Sequence, residues 1–199
     1  MGIETKNRII EEAKMQFFRY GIKSVSVDDI TYTLSISKKT FYENFANKNE
    51  LVEVIALDFL KQTRDRMDMV MQQKDVIDKI ILLYSFLLDQ FKKCNTSFIY
   101  DIKKYYPDIF KVFDEFKDNA LKNLFVTLIE EGKKEGLFIQ DIDEEVIFKM
   151  HWKRFNNIIE RELLPNKDLF DPVFSKIMKL SLIGISTLKG HQIIEDKFK

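Results

Sequence analysis

The chain has 199 residues, 45% hydrophobic and 32% charged, and its 32 basic and 32 acidic residues cancel. That balance excludes a uniformly basic nucleic-acid coat, so any contact with nucleic acid must come from a local patch. A single cysteine, Cys94, excludes an intrachain disulfide and a zinc–cysteine cluster, and MGIETKNRII has no apolar leader, so a reducing, cytoplasmic setting is expected.

Three prolines and six glycines are few breakers, which favours long helices over a turn-rich β fold. The longest apolar run, Ile80 to Leu88, falls well short of the roughly 20 residues a membrane span needs, and no membrane partner is expected.

Apolar residues at spacings of three and four mark most of the chain as helix. Thr5 is placed to cap a first helix with Ile9, Ile10, Ala13, Phe17 and Tyr20 inward, ended by Gly21. Ser26 with Asp29 has the capping-box form and predicts a short helix from Val27 to about Leu34. After a turn at Ser35-Ile36, Ser37 caps a third helix to about Phe45. Asn47 with Glu50 opens a long helix from Lys48 to about Gln73. Further helices are predicted to about Lys93, over Phe98–Tyr106, from Pro107 to about Glu135 and from Glu144 to about Leu163. The last runs from Phe170 to about Gly190, followed by a polar tail expected to fray.

Two short helices joined by a tight turn form a helix-turn-helix, whose second helix enters the DNA major groove. Phe41 and Phe45, four apart, share a face and should pack inward with Ile36, leaving Lys38, Lys39, Tyr42 and Asn44 outward. Lysine, hydroxyl and amide groups suit phosphate oxygens and base edges. The N-terminus of such a helix adds partial positive charge where an anion would sit.

These residues resemble the TetR-type (tetracycline repressor-like) transcriptional regulators from Arg8 to about Phe59. The likeness rests on Ile9, Ala13, Phe17 and Gly21; on Val27-Asp28-Asp29-Ile30; on Ile36 through Phe45; and on Asn47-Lys48-Asn49-Glu50-Leu51. The resemblance implies phosphate contacts at Ser26, Thr40, Tyr42 and Lys48, and groove contacts at Ser37, Lys38, Lys39 and Asn44. It implies an all-α fold of about nine helices: a three-helix helix-turn-helix domain over 1–48, and a helical ligand-binding and dimerisation domain over 49–199. It further implies a homodimeric repressor of a near-palindromic double-stranded DNA operator, answering to a small effector. The chain departs from the family at Ser35, where glycine is usual, at Thr31 and Leu34, and at Lys39. The first 60 residues carry eight basic against nine acidic groups, so the DNA-binding part is not basic overall.

Pockets for small apolar or aromatic molecules are mostly apolar with a few polar anchors. Tyr84, Phe91, Phe98, Tyr105, Phe113, Phe116, Phe148, His151, Trp152 and Phe155 are the candidates, each also suited to plain packing. The final helix is apolar nearly all round, with a close helix approach expected at Gly184, so Leu180, Ser181, Gly184 and Leu188 are candidates for a dimer interface. One cysteine and two histidines supply neither a nucleophile–base pair nor a metal set, so no enzyme, metal or cofactor is expected. The alternative is a helical small-molecule or partner-binding protein that has lost DNA binding.

Overall fold

The structure, a computed structural model, describes residues 2–93, 96–159 and 170–198; the side chains of residues 90, 91, 93, 155–159 and 170–172 are also outside the described set. All regular elements among these residues are helices. They are α1 (Gly2–Tyr20), α2 (Val27–Leu34), α3 (Lys38–Tyr42), α4 (Lys48–Met71), α5 (Val76–Lys93) and α6 (Thr96–Tyr105). Then follow α7 (Pro107–Phe116), α8 (Lys122–Lys134), α9 (Glu144–Ile159), α10 (Phe170–Ile183) and α11 (Leu188–Lys197), with a π-helical turn over 117–121 between α7 and α8. The chain forms two compact units: Met1–Arg66 with Phe86–Phe116, and Met67–Ser85 with Lys117–Lys199.

In the first unit, Ile9, Ala13 and Phe17 of α1, Ile30 of α2, Phe41 of α3 and Phe45 just beyond it share one core with Leu51, Val52 and Ile55 of α4 and Phe98 and Ile102 of α6. The rings of Phe18 and Phe98 meet edge to face at 4.7 Å, a favoured aromatic geometry. The loop from α1 to α2 is tied to α6, because the buried Asp101 carboxylate accepts the Lys23 backbone N–H at 2.8 Å. Two expectations for this unit change. Helix α1 begins at Gly2, ahead of Thr5, and buries Phe18 while Tyr20 stays exposed. Helix α3 is five residues long, and Glu43 and Asn44 form a turn before Phe45.

Ser35 ends α2 in the left-handed region at φ 53° and ψ 42°. Its N–H bonds to Tyr32 O, and the Ile36 N–H reaches back to Thr31 O at 3.0 Å. These two bonds make the Schellman ending that glycine normally supplies. Serine therefore adopts the same turn, at a conformational cost that glycine would not carry.

In the second unit, the Lys79 ammonium, almost fully buried, pairs with Glu131 at 2.6 Å. The helix expected over 170–190 is in fact two. Helix α10 stops at Ile183, and residues 184–187 run beside the loop after α8. There Ile139 N–H donates to Ile185 O at 2.9 Å and Thr187 N–H donates to Leu137 O at 2.9 Å. The Thr187 hydroxyl then caps α11 by accepting from Gly190 N–H at 3.2 Å. The segment expected to fray is thus a packed helix with Ile194 fully buried.

The close approach expected at Gly184 occurs at Gly190. A Cβ on Gly190 would lie 2.1 Å from Leu137 O, whereas one on Gly184 would meet only Leu180 O, at 3.4 Å. The helix expected from Pro107 to Glu135 is likewise divided, by the π-helical turn, so eleven α-helical segments are described in place of about nine. The end expected near Leu163 for the helix from Glu144 lies outside the described residues.

Ser35→Gly is expected to raise stability by about 0.5–1 kcal/mol, the relieved left-handed cost less the extra freedom of glycine in the unfolded chain. Thermal denaturation measures it; a lower Tm would show that the Ser35 side chain contributes more than its backbone costs.

Candidate nucleic-acid interface and a buried aromatic site

The N-terminal ends of α2 and α3 carry most of the sequence-derived DNA contacts, and each is capped from within. Ser26 Oγ accepts Asp29 N–H at 3.1 Å and its own N–H donates to the Asp29 carboxylate at 2.7 Å, closing the capping box. These bonds hold the Asp29 carboxyl below its ordinary value. Ser37 Oγ accepts Thr40 N–H at 3.0 Å and lies 2.9 Å from the Thr40 hydroxyl. With five residues and this amide already bonded, α3 has little of the N-terminal field expected of a longer helix.

Phe41 has no exposed surface and Phe45 almost none, with their centroids 5.8 Å apart. The two aromatics fix the roll of the segment. Lys38 and Lys39 are consequently exposed, and Tyr42 is 54% exposed with its ring edge-on to Phe41. Lys39 lies 3.9 Å from Glu43, a loose pair. Lys38 is held by Asp28 of α2 at 2.7 Å, and that hydrogen bond raises its pKa.

Two other candidates have their polar ends committed inside the protein. Asn44 Nδ2 donates to Thr40 O at 2.8 Å. The Lys48 ammonium binds Ile22 O and Val25 O and lies 5.5 Å from the Phe17 ring centroid. Burial, then nearby Lys23, lowers its pKa. Sequence reasoning passed over two exposed side chains beside the turn. Asp28 belongs to the α2 first turn, where an acid is unremarkable, and Tyr32 is 88% exposed at a position that spacing alone does not single out.

Comparison with known proteins supplies a likeness for the N-terminal part. The sequence profile described as bacterial regulatory proteins, tetR family, matches residues 9–55, the stretch that holds α2, α3 and the turn between them. Residues 9–55 thus carry the tetR-family sequence pattern.

Over 90 residues it is 30% identical to the HTH-type transcriptional regulator TtgR of Pseudomonas putida, covering 45% of this chain and 42% of that relative. The match therefore spans less than half the length of TtgR. With the HTH-type transcriptional repressor KstR2 of Mycolicibacterium smegmatis, identity is 22% over 148 residues, covering 72% of each chain. Among solved structures, a TetR-family transcriptional regulator from Marinobacter aquaeolei superposes with a TM-score of 0.80 at 13% identity, over 98% of both chains. The ketosteroid transcriptional regulator KstR2 of Mycobacterium tuberculosis gives 0.69 at 16%, over 92% of this chain and 95% of the other. Both likenesses are of fold.

The ligand candidates divide between the two units. Phe98 belongs to the first unit's core and Phe113 packs against it; half-buried Phe116 and 43% exposed Tyr105 are in the same unit. Phe91 and Phe155 lie outside the described residues. The second unit brings together Tyr84 of α5 with Phe148, His151 and Trp152 of α9. It adds Phe125 of α8 and Phe174 of α10, which sequence reasoning did not select.

Burial pushes the Tyr84 phenol well above its usual range and lowers His151 to about 4, with Arg154 adding to the latter shift. Both groups are therefore neutral near pH 7, and the Tyr84 hydroxyl is hydrogen-bonded to His151 Nδ1. Arg154 Nη1 donates to Ser181 Oγ at 2.9 Å beside them. The cavity they line with Phe174, Ile177 and Met178 measures about 20 Å³, room for one water. Of the dimer candidates, Leu180 is 68% and Leu188 88% exposed, Gly184 is exposed and Ser181 is half-buried.

His151 generates a pH dependence. Its pKa is depressed from 6.5 to about 4, so the unfolded chain takes up a proton that the folded chain refuses. The stability it contributes is complete above 6.5 and is lost as pH falls toward 4. From about pH 7 to about pH 5 the loss should be about 2 kcal/mol. His151→Gln, which keeps a hydrogen-bonding group for Tyr84, should flatten that slope in thermal melts; an unchanged slope would show that His151 has the same pKa in the folded and unfolded chain.

Proposed function

We propose that the protein is a transcriptional regulator, acting as a repressor, that binds a near-palindromic double-stranded DNA operator as a homodimer. The observation that carries this reading is the outward display of Lys38, Lys39 and Tyr42 by a capped helix whose Phe41 is fully buried. Two lysines at the start of a second helix and a phenol at its end suit phosphates and base edges in a major groove. Ser26, Ser37 and Thr40 belong to the same surface as hydroxyl contacts. Asn44 and Lys48 contribute chiefly by bracing it, and their side chains serve DNA directly only by exchanging internal partners. The relatives named as regulators and as a repressor support the direction of the proposal.

For the dimer, exposed Leu180 of α10 and Leu188 of α11 are the apolar groups that a second copy would cover, with Gly184 and Ser181 between them. Two recognition helices then meet successive major grooves about 34 Å apart. For the effector, the aromatic set around Tyr84 and His151 is the preferred site, and a small apolar or aromatic molecule is the matching chemistry. With room for one water, the site must open to admit it, and an effector that binds the opened form better shifts the population of DNA-competent protein.

A salt-dependent gel shift with DNA from upstream of its own coding sequence tests the proposal. Wild type should retard a discrete fragment, and Lys38→Ala/Lys39→Ala should bind it at least about tenfold more weakly. If neither retards DNA at low salt, the protein is a helical binding protein without DNA affinity.

A further inference from the structure

The surface offered to DNA contains an acid that is not needed for the local fold. Asp28 is the second residue of α2, and its side chain is 62% exposed. The neighbouring Asp29 closes the capping box with Ser26 by itself. The Asp28 carboxylate instead reaches across to α3 and lies 2.7 Å from Lys38 Nζ. Asn44 and Lys48 have their polar ends on backbone carbonyls, so the mobile positive charge of this surface rests on Lys38 and Lys39. Asp28 matches one of the two.

This arrangement has a consequence for DNA discrimination, and it rests on the DNA-binding reading above. Non-specific affinity comes from lysines that neutralise phosphates and release counterions. A lysine already matched by a carboxylate releases fewer, and a phosphate that takes it leaves the carboxylate unpaired nearby. Operator binding also draws on base edges and shape, which this term does not touch. We propose that Asp28 is a specificity-determining residue: by holding Lys38 it weakens binding to arbitrary DNA more than binding to the operator. Exposed pairs are weak, so a well-fitted site can draw Lys38 away.

An acid in the first turn also suits the α2 helix dipole, so stability and DNA affinity must be read separately. The test uses full-length wild type, Asp28→Asn, Lys38→Ala and the double variant. Each is titrated by fluorescence anisotropy, across a salt series, against the retained upstream fragment and against a random-sequence duplex of equal length.

Asp28→Asn should bind the random duplex several-fold tighter, up to about tenfold. Its gain on the upstream fragment should be smaller, and the log–log salt slope on the random duplex should steepen by about one. In the Lys38→Ala background the same substitution should gain little. Unchanged affinity for the random duplex overturns the proposal. So does an equal gain with and without Lys38, which makes Asp28 a plain repulsive charge. Loss of upstream binding by a stably folded Asp28→Asn also overturns it, since that makes Asp28 a base-reading group. If wild type binds both duplexes equally or not at all, the operator-binding reading fails first, visibly in the unsubstituted protein, and this inference fails with it.

Discussion

The structure of the N-terminal end depends on burying two phenylalanines from a segment with barely more than one helical turn. Phe41 and Phe45 have essentially no exposed surface, yet α3 contains five residues. A helix that short has no stability of its own. Its position and roll come from the aromatic pair and from Ser37 capping its first turn. Once both rings face inward, Lys38, Lys39 and Tyr42 have nowhere to go but solvent. Packing thereby decides which groups can meet DNA.

The segments on either side are held by polar bonds that leave few groups idle. Lys48 gathers the carbonyls of Ile22 and Val25, Asp101 takes the Lys23 amide, and Asn44 returns to Thr40. Unpaired buried carbonyls and amides are costly, so a loop entering a helix-turn-helix needs such partners. The same bonds reduce the positive charge free for phosphate, in keeping with an N-terminal part that is not basic overall. A surface with few loose lysines relies more on fit and less on bulk electrostatics.

Much of this end was legible in the sequence because its signals are local. The Ser26 and Asp29 box, Ser37 before α3, and Asn47 with Glu50 before α4 each act within three residues. Gly21 takes φ +85° where α1 ends, as its position implied. What was not legible acts across the chain. Asp28 and Lys38 lie on different helices, and Lys48 reaches carbonyls that no spacing points to. At the other end, Gly184 to Thr187 sits inside an unbroken apolar pattern. Only pairing with the 136–139 loop turns Thr187 into a cap and its followers into α11. The aromatic candidates show the same limit: composition gathers Phe98, Phe113, Tyr84 and His151 into one set, whereas packing assigns them to two cores.

The central claim is that two copies of this short, core-anchored helix read two successive major grooves. Hydroxyl-radical footprinting of the upstream DNA with the full-length protein tests it most directly. Two protected patches about one helical turn apart, centre to centre, related by near-palindromic sequence, are predicted. A single patch, or uniform protection along the duplex, would contradict it.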